Sequence, residues 1–169
     1  MSIEREIASH VDGGKLRLVT PMVPSDRLQR NLYLTEELFN EVYEDKQYHH
    51  EIKMFANLIA DLEVFVTSDT IDPNYLWLLE PHKDGIWEIR STRQELQIRV
   101  FGAFAAKDIF IGTHYKLRED LGRKDNEQWK IQIKFAKKVW SSLFPAYTHK
   151  KTNDRNQLFT GALDENYFK

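Results

Sequence analysis

Three stretches decide the fold: Ile86-Trp87-Glu88-Ile89-Arg90, Leu96-Gln97-Ile98-Arg99-Val100-Phe101 and Asp108-Ile109-Phe110-Ile111-Gly112-Thr113. Each is short, rich in β-branched and aromatic side chains, and close in sequence to the next, so the pattern predicts an antiparallel three-stranded meander. Alternation sets Leu96, Ile98 and Val100 on one face of that sheet and Gln97 and Arg99 on the other. One face then packs on helices, and the other is available to a ligand.

Upstream of the meander the chain reads as helical. Thr35 is placed to cap a helix whose first turn carries Glu36 and Glu37 and whose apolar face is Leu38, Phe39, Val42 and Tyr43. A second helix is expected from about Gln47 to Val66, because Ile52, Phe55, Ile59, Leu62 and Val66 recur at intervals of 3, 4, 3 and 4. The short join predicts an antiparallel pair. Leu16 to Thr20 alternates well enough for a short N-terminal strand that Pro21 and Pro24 end. The preceding Gly13-Gly14 lacks the spacing of a phosphate-binding loop and reads as a turn. Tyr75 to Leu79 is apolar, and its state stays open.

Downstream, His114 to Lys124 reads as a charged loop. Asp125, with Gln128 three residues on, is placed to cap a third helix. Trp129, Ile133, Ala136, Trp140 and Leu143 form its apolar stripe, Lys130, Lys134, Lys137 and Lys138 crowd the other side, and Pro145 ends it. The expected class is α+β: an antiparallel sheet, the meander plus an N-terminal strand, packed against a helical pair and followed by a basic C-terminal helix. Residues 1–145 form one domain, with 1–30 as an N-terminal elaboration and 146–169 as a polar tail.

Composition narrows the function. The 169 residues suit one domain, and the absence of cysteine removes disulfides, thiolate zinc sites and cysteine nucleophiles. No long apolar run occurs and the opening residues are charged, so the expectation is a soluble, intracellular protein with no membrane partner. The net charge of -2 hides an asymmetry: residues 1–85 hold 8 Lys+Arg against 16 Asp+Glu, and residues 86–169 hold 16 against 10. A basic half of net +6 on an acidic half of net -8 is a candidate nucleic-acid surface.

The six histidines, including the adjacent His49-His50, lack metal-ligand spacing, and no nucleophile-elbow, Walker or dinucleotide motif is present. Acidic runs such as Glu41-Val42-Tyr43-Glu44-Asp45 read as a solvated helix face. The constellation with chemistry is basic. Arg90 ends the first meander strand, Arg99 lies in the second, and His114, Tyr115, Lys116 and Arg118 follow the third. Arginine offers forked donors to phosphate oxygens, and histidine exchanges protons near neutrality. The competing reading makes the same residues strand-edge charges and ion-pair partners.

The element order, together with Gly85-Ile86-Trp87-Glu88-Ile89-Arg90, Ile98-Arg99-Val100-Phe101 and Asp108 to Arg118, resembles the RelE/ParE toxin superfamily, in particular its HigB-like, phage-derived branch. The similar stretch runs from about Glu51 to Trp140, and Ala136 in the downstream helix fits the same layout. The resemblance implies a toxin of a type II toxin–antitoxin system: a metal-independent, cofactor-free endoribonuclease that cleaves mRNA at the ribosome. It also implies a cytoplasmic location and neutralisation by a cognate antitoxin, expected to be of the helix-turn-helix kind.

By position, Arg90 and Arg99 would stabilise the phosphate, His114 or Tyr115 would transfer the proton, and Arg118 would complete the catalytic set. Lys116, Arg123, Lys124, Lys130, Lys134, Lys137 and Lys138 would bind RNA. Leu117 stands where the family pattern carries a lysine. That departure, with the overall acidity, suits the alternative of a non-catalytic RelE-like module of a phage or mobile element that inhibits or adapts a nucleic-acid enzyme, as gyrase inhibitors do.

Overall fold

The computed structural model describes residues 2–24, 26–44 and 49–163, the side chains of 49–51 excepted. Among these residues the chain is α+β, with six helices and one six-stranded mixed sheet. In chain order the elements are α1 (Ile3–Asp12), β1 (Leu16–Leu18), β2 (Asn31–Thr35), α2 (Glu36–Tyr43), α3 (His49–Thr67), β3 (Leu76–Leu78), β4 (Trp87–Ser91), β5 (Ile98–Ala106), β6 (Ile109–Leu117), α4 (Arg118–Leu121), α5 (Glu127–Leu143) and α6 (Arg155–Leu158). The strand order is β1-β2-β6-β5-β4-β3.

The meander is present as β4, β5 and β6. Within Tyr75–Leu79, Leu76–Leu78 form a strand, β3, which pairs antiparallel with β4. The expectation of a purely antiparallel sheet is corrected by β2, which pairs parallel with β6. Its Leu32 and Leu34 alternate inward, but parallel pairing to a strand far along the chain leaves no local signal. Helix α1 was not foreseen either, although Ile3, Ile7 and Val11 share one of its faces and the Ser2 hydroxyl caps it.

Both faces of the sheet carry helices, so the face expected to be available to a ligand is partly covered. Helices α2 and α3 lie over Leu32, Leu34, Ile89, Ile98, Val100, Phe104 and Phe110. Within α3 the buried line includes Phe55, Leu62 and Val66 as expected, whereas Ile52 is exposed, and its expected start at Gln47 lies outside the described residues. Helices α1 and α5 cover Leu16, Phe101, Ala103 and Ile111 on the opposite face. The cap of α5 is Asn126, not Asp125: Gln128 N–H donates to Asn126 Oδ1 at 2.9 Å.

The stretch read as a charged loop is strand through Leu117 and then helix, because β6 keeps pairing with β5 down to Ile98. The described part of the polar tail, residues 146–163, wraps the body. Leu158 and Phe159 are fully buried, and Phe159 stacks on Phe104. Arg30 donates to the carbonyls of Phe65 and Ser68, closing the end of α3, and to the Thr160 carbonyl. Asp108 holds Thr160 through both carboxylate oxygens.

Candidate nucleic-acid interface

Strand register assembles the site. Arg90 lies opposite Arg99, Arg99 opposite Lys116, and Trp77 opposite Glu88. Residues paired this way, and those two apart along a strand, share a face. One end of the α1/α5 face therefore carries Trp77, Glu88, Arg90, Arg99 and Lys116 side by side. Helix α5 covers the other end, over Phe101 and Ala103.

A bulge in β6 makes this possible. Phe101 pairs with His114, but the next pair is Gly102 with Gly112, so Thr113 is an extra residue. Strict alternation from Ile111 would carry Tyr115 to the α5 face and Lys116 to the α3 face. The bulge exchanges them.

Glu88 organises the cluster. Its carboxylate is 0% exposed; Arg90 Nε–H donates to its Oε1 at 2.8 Å, and Arg99 Nε lies 3.7 Å from its Oε2. Arg99 also donates to the Ile98 carbonyl at 3.2 Å and to Gln97 Oε1 at 3.3 Å. Burial lowers the Arg99 pKa, Glu88 opposes the shift, and Arg90 and Arg118 add to it. A carboxylate this deep is tolerable because it is ion-paired.

Two further cations come from the start of α4 and from the α4–α5 connection. Arg118 donates to the Gly122 carbonyl at 2.7 Å, and its guanidinium lies 5.4 Å from the centre of Trp129. Gly122 has φ +64°, and a β-carbon there would come within 2.7 Å of Asn126 Nδ2. Beyond this turn, Lys124 Nζ reaches 4.9 Å from the centre of Trp77, whose ring Arg90 also approaches at 4.7 Å. Burial lowers the Lys124 pKa, and Arg90, Arg118 and Arg99 lower it further against Glu88. Four cations thus surround one carboxylate. Such an excess of forked and single donors suits an anion with several oxygens, and a phosphodiester is the fitting class.

The structure sorts the residues singled out from sequence. It brings together Arg90, Arg99, Arg118 and Lys124, with Lys116 on the neighbouring strand and Arg123 exposed beside Lys124. It leaves His114 and Tyr115 out. His114 is stacked on Phe101 with ring centres 4.8 Å apart, donates from Nε2 to Gln132 Oε1 at 3.0 Å, and has Nδ1 2.9 Å from Thr113 Oγ1. Burial pushes its pKa down to about 4, so it is neutral near pH 7. Tyr115 points through the opposite face and meets Phe55 edge-on at 5.6 Å.

The α5 lysines face away from the sheet. Lys137 pairs with Asp84 at 3.3 Å, Lys130 with Glu127 at 3.7 Å, and Lys134 and Lys138 are exposed. Glu88 and Trp77 were missed from sequence. Glu88, two residues before Arg90 in a strand, could have been placed on the arginine face by alternation alone. No group of acidic or histidine side chains among the described residues could hold a metal ion, and no described helix is long and apolar enough to cross a membrane. Compared with protein-family models, with curated proteins and with solved structures, the chain matches none.

Proposed function

We propose that the Arg90–Arg99–Arg118–Lys124 face binds single-stranded RNA through its phosphates and cleaves it without a metal, as a RelE-like, HigB-type toxin acting on mRNA at the ribosome. The observation that carries this reading is the convergence of Arg90, Arg99, Arg118 and Lys124 around the buried Glu88, with Lys116 and Lys124 exposed at the rim. In the reaction, the ribose 2′-oxygen bonds to the adjacent phosphorus and the bond from phosphorus to the 5′-oxygen breaks, leaving a 2′,3′-cyclic phosphate. The 2′-hydroxyl loses its proton and the departing oxygen gains one. Arg90 and Arg99 stabilise the charge that builds on the phosphoryl oxygens, where one donor is typically worth on the order of 10²–10³ in rate.

With His114 engaged by Gln132 and Thr113 and Tyr115 on the far face, the proton acceptor in this reading is Lys124, whose Nζ stands over Trp77 at the cluster. Burial, with Arg90 and Arg118 nearby, lowers the Lys124 pKa. An antitoxin partner, a cytoplasmic site and ribosome contact belong to the same proposal. Expression of the chain alone should arrest growth and leave cut transcripts, and Arg99→Ala should relieve both. Harmless expression with intact RNA overturns it.

The displacement of both expected proton-transfer residues, with Leu117 at the family's lysine position, favours a second reading: a binding module that grips nucleic acid, or an enzyme working on it, without turnover. Tight RNA binding with no cyclic-phosphate product would select that one.

A further inference from the structure

We propose that the groove between α2 and α5 is a docking site for an amphipathic helix of a partner protein, basic along one flank and acidic along the other. This surface adjoins the arginine cluster only at Lys116, which borders the smaller cleft, and stands whether or not the chain cleaves RNA.

Helix α5 carries two apolar stripes. The first, from Trp129 to Leu143, is core. The second is Ile131, Phe135 and Val139, at intervals of four; Ile131 is 48% exposed and Phe135 47%. At about 100° per residue these three fall within roughly 80° of one another, between the core stripe and the lysine side. They border two clefts of about 890 and 520 Å³ that meet at Glu41, His114 and Phe135. Leu38 and Asn40 of α2 form the facing wall, and Thr113 and His114 form the floor. From Ile131 to Ser142 the groove follows α5 for about 16 Å, three helical turns. An apolar ridge of that length, half-exposed at Ile131 and Phe135 and recessed between two helices, matches helix-in-groove recognition.

Charge selects the occupant. The α2 wall presents Glu36, Glu37 and Glu41, and Asp120 stands at the far end, against Lys15 and Lys116 as the basic groups lining the two clefts. The α5 lip presents Lys134 and Lys138, which lie just outside the apolar stripe and are exposed. A helix lying between them needs Lys or Arg toward α2 and Asp or Glu toward α5. Nucleic acid is opposed by the acidic wall. A second copy meeting it antiparallel through the same stripe would set lysine-fringed surface against lysine-fringed surface.

The test uses the intact chain and two synthetic side-chain-bridged helical peptides of roughly 15 residues, about four turns. Both carry leucines at i, i+4 and i+7, with lysines on one flank and glutamates on the other; the second peptide exchanges the flanks at identical composition. The first should bind with a Kd on the order of 10 μM and its isomer at least about tenfold more weakly. Phe135→Asp and, separately, Ile131→Glu should each weaken the first peptide about tenfold or more with the far-ultraviolet circular dichroism unchanged. Glu37→Lys should narrow the gap between the isomers. Absent binding, equal binding of the two isomers, or indifference to both apolar substitutions overturns the proposal. So does a solution dimer that Phe135→Asp converts to monomer, because the occupant would then be a second copy.

Discussion

Arg90 and Arg99 face each other across the β4–β5 ladder and share one buried carboxylate, Glu88, which Arg90 Nε approaches at 2.8 Å and Arg99 Nε at 3.7 Å. Two guanidiniums side by side would otherwise repel. Glu88 offsets that repulsion from beneath and holds both Nε atoms inward, while the terminal nitrogens of Arg99 turn to the Ile98 carbonyl and Gln97 Oε1.

Glu88→Gln keeps the shape and removes the charge. Two nearly buried arginines then lose their counter-ion, and breaking a buried pair costs about 3–5 kcal/mol. Urea unfolding should show a lower midpoint at an unchanged slope. RNA affinity should fall as well, despite the more positive site, because the guanidiniums are no longer held in place. Unchanged stability would mean that Glu88 is not the organising charge.

The cluster's part in binding can be read from salt dependence. Each phosphate neutralised on a single strand contributes about 0.7 to the slope of log affinity against log salt. Arg118→Ala and Lys116→Ala should each reduce that slope by about one such increment. Lys137→Ala should leave it in place, since Lys137 is engaged with Asp84 away from the cluster.

Acid should destabilise the fold through His114. Its folded pKa is pushed down to about 4 from an ordinary value near 6.5. Between those values the unfolded chain binds a proton that the folded chain refuses. Stability is therefore fully present above about pH 6.5 and falls as the pH drops toward 4, by at most about 3 kcal/mol. Burial lowers the His149 pKa as well, adding to the loss in the same direction. Denaturant unfolding at a series of pH values should show the decline, and His114→Phe should make it shallower.

Gly161 ties the tail to the body. Its φ is +82°, and a β-carbon there would lie 2.0 Å from the Asp69 carbonyl oxygen and 3.2 Å from Arg30 Nη2. Gly161→Ala should cost about 2 kcal/mol or more in thermal unfolding, combining left-handed strain with the clash. At Gly14, also at positive φ, the nearest atom to a β-carbon is a Glu36 side-chain oxygen at 3.3 Å. Gly14→Ala should therefore cost less.

Local physics was legible wherever its period was short. Alternation in β4, β5 and the start of β6, the 3-and-4 spacing in α3 and α5, and the Thr35 cap of α2 all express contacts between near neighbours, which a linear reading captures. Arg90, Arg99, Arg118 and the loop lysines were recognisable for the same reason: strand and turn place them at neighbouring ends. Tertiary structure decided the rest. The parallel β2–β6 pairing and the tail's return to Phe104 depend on contacts between residues far apart in the chain. Whether Arg99 meets solvent depends on how far α5 reaches over the sheet. Whether His114 or Tyr115 shares its face depends on one extra residue, Thr113. A bulge reverses the facing of every later side chain in its strand while leaving their alternation intact, so no pattern in the sequence reports it.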